Sequence, residues 1–271
     1  MRPSLLVLTD FSPAAQRALS YANSLAGAIE GQVVVLHVRR DSFLDPELFT
    51  GQLSQQSQQE VDAALTRAVR DLTVPVATET GHGRVADAVA DALTRHPSAL
   101  LVVGRPDEES TPDELVTTTA LELLRADPHP MLVVPHNAPT ISPPHRILLA
   151  IDAEPFTLSE PSEAVRHIFS ALHAQLTIVH VSPDADEAGG AAAFDAVARL
   201  SLLADLQQLR TSNLVDPSAS DGILQAAATG EFDLIVLIAR PRSFLGKLFH
   251  HSVTAEILMH SSLPVLVLPA R

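Results

Sequence analysis

The sequence contains no cysteine and no tryptophan, and its 271 residues include one tyrosine and nine phenylalanines. Without cysteine the chain has no disulfide, no thiol nucleophile and no cysteine-ligated zinc site, which fits a reducing compartment. Because aromatic residues are scarce while 46% of the residues are hydrophobic, the core must be built from Val, Leu, Ile and Ala. This composition is typical of globular chains and not of disordered ones.

Basic residues are scarce as well. Lys and Arg together number 18 against 32 Asp and Glu, which gives a formal net charge of −14. An acidic surface repels nucleic-acid phosphates and anionic lipid headgroups. We therefore expect neither nucleic acid nor a membrane surface as a partner.

Long apolar runs are missing too. The run at residues 5–8 is closed by Asp10, which makes it too short for the core of a signal peptide. No stretch approaches the roughly 20 apolar residues that cross a bilayer. We expect a soluble, cytoplasmic protein.

The most informative feature present is an internal repeat. Four apolar runs of the first half recur in the second half, in the same order and at similar spacing. Equivalent residues stand at or near the ends of the repeated runs. These pairs are Asp10 and Asp152, His37 and His180, Arg105 and Arg240, and Pro135 and Pro269. The repeat predicts two domains, residues 1–136 and 146–271. A linker over residues 137–145 joins them, and its three prolines favour an extended connector.

Each copy has the pattern of alternating strands and helices. Helices are predicted over residues 13–29, 52–71, 84–96 and 111–125 of the first copy, with Ser12 as the N-cap before Pro13. The polar stretch near residues 74–80 predicts the third strand. In the second copy, residues 188–193, which include two glycines, are predicted to form a flexible loop before a helix over residues 194–209.

The strands are apolar on both faces, which predicts a parallel sheet covered by helices in each copy. With right-handed crossovers the fold is α/β and doubly wound. The run bounded by Pro130 and Pro135 has no crossover after it and is a candidate edge strand, as is its counterpart at residues 265–268. We expect the two edges to pair across a pseudo-two-fold axis, because that pairing covers both exposed ladders and the fusion raises their effective concentration.

Five short segments share the pattern of one known family. Residues 9–19 (TDFSPAAQRAL), the His-Val pairs at 37–38 and 180–181, and residues 252–258 with 262–269 resemble the strands and helices of universal stress proteins. The resemblance covers nearly the whole chain. It implies an adenine-nucleotide α-hydrolase-like fold in each copy, arranged as an intramolecular pseudo-dimer, and a stress-associated role.

Members of that family that bind ATP are expected to show Gly-x-x-Gly, nine residues and then Gly-Ser/Thr after the fourth strand. Glycines let backbone amides approach phosphate, and the following helix N-terminus adds positive potential. In the first copy Gly104 is present, but Asp107 stands at the second glycine, followed by Glu108 and Glu109, and Thr118 supplies the final hydroxyl. Three carboxylates disfavour a bound phosphate.

The second copy departs from the motif differently. Ala239 and Arg242 replace the two glycines, and His251-Ser252 stands at the Gly-Ser position. Arg240 and Lys247 make this loop cationic, so an anion could still dock there. The resemblance places a nucleotide site on Asp10, Val38, Gly104, Thr118, Asp152, Val181, Arg242, Ser252 and Val253.

The functional expectation from these residues is a non-catalytic, stress-associated interaction module that has lost nucleotide binding, so no cofactor is expected. The alternative is an ATP- or ADP-binding module with a modified loop, in which slow hydrolysis stays open. Asp10 and Asp152 end the first strands and either contact a nucleotide or cap the next helix. The partner is expected to be an unidentified protein, and pairing of whole chains into a homodimer stays open.

Other classes fit the residues less well. Related α-hydrolase enzymes carry a Ser-Gly-Gly loop after the first strand, whereas residues 10–13 contain no glycine. A receiver domain needs an Asp ending the third strand and a Lys ending the fifth, and residues 78–80 and 134–135 supply neither. His250, His251 and His260 form a poor metal set, because adjacent helical residues do not share a face. His37 and His180 are interpreted as packed structural residues, with pH sensing as the alternative.

Overall fold

A computed structural model of the chain describes residues 2–39, 51–97, 100–106, 118–126, 128–139, 142–152, 154–159, 165–184, 187–198, 209–240 and 252–270. Strands and helices alternate through each half. The first half contains β1 (Ser4–Thr9), α1 (Pro13–Ala28), β2 (Gln32–Arg39), α2 (Gly51–Val69), β3 (Val76–His82), α3 (Val85–Arg95), β4 (Leu100–Arg105), α4 (Thr118–Ala126) and β5 (Met131–Pro135).

The second half repeats this order. It contains β6 (Arg146–Ala150), α5 (Arg166–Leu172), β7 (Gln175–Ser182), α6 (Glu187–Ala198), β8 (Leu209–Val215), α7 (Ala219–Ala228), β9 (Leu234–Ala239), α8 (Val253–His260) and β10 (Val265–Pro269). The predicted alternation in each copy is confirmed. The start of the helix predicted over residues 111–125 lies outside the described residues, which resume at Thr118. Among the described residues, no helix is both long enough and apolar enough to cross a bilayer.

Helix α1 forms where the local signals place it. The Ser12 hydroxyl accepts a hydrogen bond from the Ala15 amide at 3.2 Å, and Pro13 occupies the first turn, where its missing N–H costs nothing. The buried residues recur every three or four positions, so one face of the helix covers the sheet.

The predicted loop at residues 188–193 is wrong. Helix α6 begins at Glu187 and runs through this stretch, and Leu209, predicted as the end of a helix, begins β8. The physical reason lies at Gly190, where a Cβ atom would overlap the side-chain amide of Asn213 on β8. The glycine therefore serves close packing of helix on strand and not flexibility.

Within the described residues, the ten strands form one sheet in the order β3-β2-β1-β4-β5-β10-β9-β6-β7-β8. Neighbours within each copy are parallel, and β5 pairs with β10 antiparallel. Leu132 lies opposite Leu266, its repeat counterpart, with Met131 opposite Val267 and Val133 opposite Val265. Pairing centred on two equivalent residues is what a local two-fold axis requires. The predicted edge-to-edge pairing is confirmed.

Helices cover both faces of this sheet, as a doubly wound fold requires. Buried residues of α1 and α5 belong to the core on one face, and those of α3, α4, α7 and α8 belong to the core on the other. Each core contains residues of both copies. Leu132 and Leu266 belong to the first core, whereas Met131 and Val265 belong to the second. The seam between the copies is therefore buried on both sides.

The outer strand β3 is tied to α3 by a small charged cluster. Glu79 accepts hydrogen bonds from Arg95 at 2.9 and 3.1 Å, and the Nε2 atom of His96 lies 3.0 Å from the same carboxylate. The hydrogen bond from Arg95 is the main reason why the pKa of Glu79 is lowered, although partial burial opposes it. The ionised carboxylate is therefore favoured in the folded state.

The lowered pKa gives a pH prediction. Because the folded pKa lies below the unfolded value, the contribution of Glu79 to stability is present above about pH 4.3 and is lost as pH falls through the folded pKa. We expect Glu79→Gln to lower the free energy of unfolding at pH 7, and the difference from wild type to shrink as pH falls from about 4.3 through the lowered folded pKa. Urea unfolding followed by circular dichroism measures both. A difference that stays constant over this range would contradict the prediction.

Candidate functional site

The second copy contains a cavity of about 230 Å³ at the carboxyl ends of its central strands. Strands β6, β7 and β9 supply the floor, and the first turns of α7 and α8 form the walls. The described lining residues are Ala150, Ile151, Asp152, Val179, His180, Val181, Ala219, Ile223, Leu237, Ile238, Arg240, Val253 and Thr254.

This position is the topological switch point of the second copy. Strand β6 lies between β7 and β9, and the helices that follow β6 and β9 pack on opposite faces of the sheet. The diverging connections leave a crevice at the carboxyl ends of the strands, where open α/β sheets bind ligands. The cavity is thus a consequence of strand order.

Most of the cavity wall is apolar. Val181, Ile223 and Leu237 supply aliphatic surface, and Val253 stands at the mouth with 41% of its surface exposed. Thr254, which is also buried, is a polar residue in this wall. The Ser252 hydroxyl accepts a hydrogen bond from the Ala255 amide at 3.1 Å and so fixes the first turn of α8.

One charged pair dominates the polar side of the cavity. Arg240 Nη2 donates to Asp152 Oδ1 at 2.6 Å and to the carbonyl of Glu154 at 2.6 Å, while Nη1 donates to the carbonyl of Pro155 at 2.8 Å. The Arg240 side chain is 14% exposed and that of Asp152 is 56% exposed. The guanidinium fork therefore holds the chain just after β6 against the end of β9.

Residues 154–159, which we call the strap, follow this clamp. The guanidinium carbon of Arg240 lies 5.8 Å from the ring centroid of Phe156, a cation–π distance. Further on, Leu158 forms an antiparallel bridge with Ala270, and the Ser159 amide donates to the carbonyl of Pro269 at 3.1 Å. The strap forms no helix and has one bridge residue, Leu158, whereas the matching stretch of the first copy forms the start of α1.

The first copy is packed differently at the same place. Phe11, with a left-handed φ of 64°, lies over His37 with ring centroids 4.6 Å apart. A Cβ atom on Gly104 would lie 2.8 Å from the amide nitrogen of Ala15 and closer still to the Ala14 carbonyl group. The backbone of α1 thus rests directly on the end of β4.

The two repeated histidines make the same contact. His37 Nδ1 lies 2.9 Å from the carbonyl oxygen of Thr9, and His180 Nδ1 lies 3.1 Å from that of Ile151. A carbonyl only accepts, so Nδ1 carries the proton in both rings. Each ring ties the end of the second strand of its copy to the end of the first, which supports the structural interpretation.

Comparisons with known proteins agree with this geometry. The sequence profile of the universal stress protein family matches residues 1–135 and 144–269. The chain belongs to the universal stress protein family. Its architecture, two tandem copies of one unit, is that of a tandem member. A search of curated proteins returned no match.

Solved structures resemble this universal stress protein over nearly its full length. A universal stress protein from Archaeoglobus fulgidus matches with a TM-score of 0.75 and 17% identity, over 97% of each chain. A putative universal stress protein from Pseudomonas aeruginosa has a TM-score of 0.56 and 17% identity, over 99% of this chain and 94% of its own. The cytoplasmic domain of a prokaryotic cation chloride cotransporter has a TM-score of 0.52 and 16% identity, over 99% and 95%. At these identities the likeness concerns the fold.

The structure brings three of the sequence-predicted site residues of the second copy together. Asp152, Val181 and Val253 line the cavity, and Ser252 caps the helix beside it. Arg242 lies outside the described residues, as do His250 and His251. Among the residues that the structure describes, no cluster of three His, Cys, Asp or Glu could hold a metal ion.

Three of the predicted residues of the first copy, Asp10, Val38 and Gly104, make contacts within that copy. Asp10 accepts a hydrogen bond from the Ser12 amide at 2.9 Å, so it shapes the turn while Ser12 caps the helix. Val38 packs against the core, Gly104 receives α1, and Thr118 begins α4. Asp10 does not cap α1, because the Ser12 hydroxyl does. Asp152 accepts a hydrogen bond from the Glu154 amide at 3.2 Å and pairs with Arg240.

Sequence reasoning missed two parts of the cavity. One is the wall formed by Ala219 and Ile223 at the start of α7. The Ser218 hydroxyl caps this helix through the Asp221 amide at 3.3 Å, and Asp-Pro-Ser before an apolar run was the available signal. The other is Arg240, which the sequence suggested as part of a cationic loop. The hydrogen-bond partners of Arg240 are determined by the fold, and no local sequence pattern predicts them.

Proposed function

We propose that this universal stress protein is a non-catalytic binding protein of the stress response that has lost tight binding of nucleoside triphosphates. The observation that carries the proposal is the ion pair between Asp152 and Arg240. The family resemblance places the Asp152 carboxylate on the ribose or adenine side of a bound nucleotide. Here a guanidinium group already engages it, and the same group holds the strap.

The phosphate side supports the same proposal. In the second copy Ala239 and Arg242 stand where ATP-binding members have glycines. In the first copy Asp107, Glu108 and Glu109 follow Gly104, and carboxylates repel phosphate oxygens at short range. A triphosphate therefore lacks the backbone cradle in one copy and meets like charge in the other.

The absence of catalysis is part of the proposal. In the described lining of the cavity, the side chains with acid–base chemistry are those of Asp152 and His180. Asp152 is paired with Arg240, and His180 is held through Nδ1 by a backbone carbonyl. Because the ion pair occupies the Asp152 carboxylate, the described lining leaves His180 without a second acid–base group beside it for catalysis. Binding, with an unidentified protein as the downstream partner, is the function that these residues support.

A second candidate function is ATP or ADP binding by the second copy alone. The cavity at the switch point favours it, since apolar walls from Val181, Ile223 and Leu237 suit a planar ring and the start of α8 carries helix-dipole potential. Binding by this route requires Arg240 to exchange Asp152 for a phosphate oxygen.

Isothermal titration with magnesium-ATP and with ADP tests the proposal. We expect wild type to bind either nucleotide with a dissociation constant weaker than about 1 mM, the range of nonspecific contact. Asp152→Ala should not create micromolar binding, and Asp10→Ala is the matched control in the first copy. Micromolar binding by wild type that is abolished by Arg240→Ala would overturn the proposal in favour of the second candidate.

A further inference from the structure

Arg105 is a buried cation whose side chain crosses from the first copy into the second. It ends β4, is 7% exposed, and is the repeat counterpart of Arg240. Its Nη1 donates to the carbonyls of Leu258 at 2.7 Å and Met259 at 2.5 Å, and its Nη2 donates to that of Ser261 at 2.7 Å. All three acceptors lie at the end of α8.

This contact suits both partners. The last carbonyls of a helix have no partner within the helix and carry the negative end of its dipole. A guanidinium group offers several donors in one plane and binds such a cluster better than an ammonium group does. The turn beyond α8 is fixed as well, because the Ser261 hydroxyl donates to the Leu263 carbonyl at 2.8 Å and accepts from the Leu263 amide at 3.0 Å.

The two ends of helix α8 therefore contact different parts of the molecule. It has eight residues and spans only about 12 Å at 1.5 Å per residue. Its first residues, Val253 and Thr254, line the cavity of the second copy, whereas its last carbonyls are held by the first copy. Because a helix of two turns moves as a rigid unit, the contacts of Arg105 with its last carbonyls also determine the position of its first residues.

The two repeat arginines have different partners. Arg105 binds the other copy, whereas Arg240 binds Asp152 and the strap of its own copy. The connection consequently runs in one direction, from the fourth strand of the first copy to the cavity of the second.

We propose that Arg105 is a positioning residue for the cavity of the second copy, through which the first copy sets the place of α8. This inference uses the cavity named under the proposed function, but its test needs no ligand. Loss of the guanidinium group removes these hydrogen bonds from the end of α8. The helix then unfolds locally more often, while the rest of the chain stays folded.

Hydrogen exchange measured by mass spectrometry on the full chain tests this. For Arg105→Ala we expect amides of residues 253–260 to exchange at least about tenfold faster, as loss of hydrogen bonds to a charged group warrants. Exchange in α1 and α3 should be unchanged. The exchange rates of Arg105→Lys should lie between those of wild type and Arg105→Ala, because an ammonium group keeps the charge but lacks the planar set of donors of a guanidinium group.

Arg17→Ala is the matched control, since Arg17 on α1 also donates to a backbone carbonyl, that of Ala138 in the linker. Methyl NMR spectra of Val253 and Ile223 supply a readout at the cavity itself, and we expect shifts in Arg105→Ala and none in Arg17→Ala. Equal exchange of α8 in wild type and Arg105→Ala would overturn the inference, and so would an increase spread evenly over the chain. Failed nucleotide titrations leave these outcomes unaffected, so the two proposals are tested separately.

Discussion

Truncation of Leu132 to alanine is expected to lower the free energy of unfolding by about 3 kcal/mol, the middle of the range for buried leucines. Leu132 is 2% exposed and lies on β5 at the centre of the seam between the copies. The methyl groups lost there belong to a core shared by both copies. Leu266→Ala, at 3% exposure, should cost a similar amount. Urea unfolding followed by circular dichroism measures both.

Because Leu132 and Leu266 face each other, the double variant should cost less than the sum of the single ones, with a coupling energy of about 1 kcal/mol for residues in contact. Leu209→Ala on β8 is the matched control, since Leu209 is 36% exposed and loses little on truncation. If Leu132→Ala were no more destabilising than Leu209→Ala, the antiparallel seam would be in doubt.

Gly104→Ala is expected to destabilise the protein by about 3 kcal/mol, at the upper end of the usual cost of overpacking. The added Cβ atom would meet the backbone of Ala14 and Ala15 and not a flexible side chain. The start of α1 must therefore move away from β4, and contacts along the whole helix are disturbed. Urea unfolding at pH 7 measures the loss.

The reverse exchange in the second copy is the control. Ala239 occupies the repeat position of Gly104, and the strap, which matches the start of α1 in the repeat, forms no helix. Ala239→Gly should cost only about 1 kcal/mol, mainly through the greater freedom of the unfolded chain. Equal losses from the two exchanges would contradict the assignment of Gly104 to packing. They would restore the interpretation of Gly104 as a remnant of a phosphate loop alone.

The sequence was sufficient to predict the strands, their repeat and the seam, because these depend on apolar runs that are long enough to be buried on both faces. Strands β5 and β10 each have five residues, of which the last is a proline, and a second proline precedes each strand. Two equal, edge-exposed runs in one chain have a simple solution, which is to pair with each other. The register centred on Leu132 and Leu266 follows from that symmetry.

Local composition was misleading where a distant residue decides the structure. The Ala- and Gly-rich start of α6 is typical of a flexible loop, but Gly190 faces Asn213 on a strand beyond the end of the helix. The same limit applies to the cavity. Arg105 and Arg240 each stand at the end of an apolar run and precede a proline, and only the fold gives them different partners.

The seam has a further consequence for how such a chain can change. In a dimer of identical subunits every substitution appears twice, once on each side of the axis, and both copies must tolerate it. Here the equivalent of that dimer is one polypeptide joined through β5 and β10. Each half can therefore accept changes that the other could not. Arg105 of the first copy now binds the second copy, whereas Arg240, its repeat counterpart, binds residues of its own copy beside the cavity.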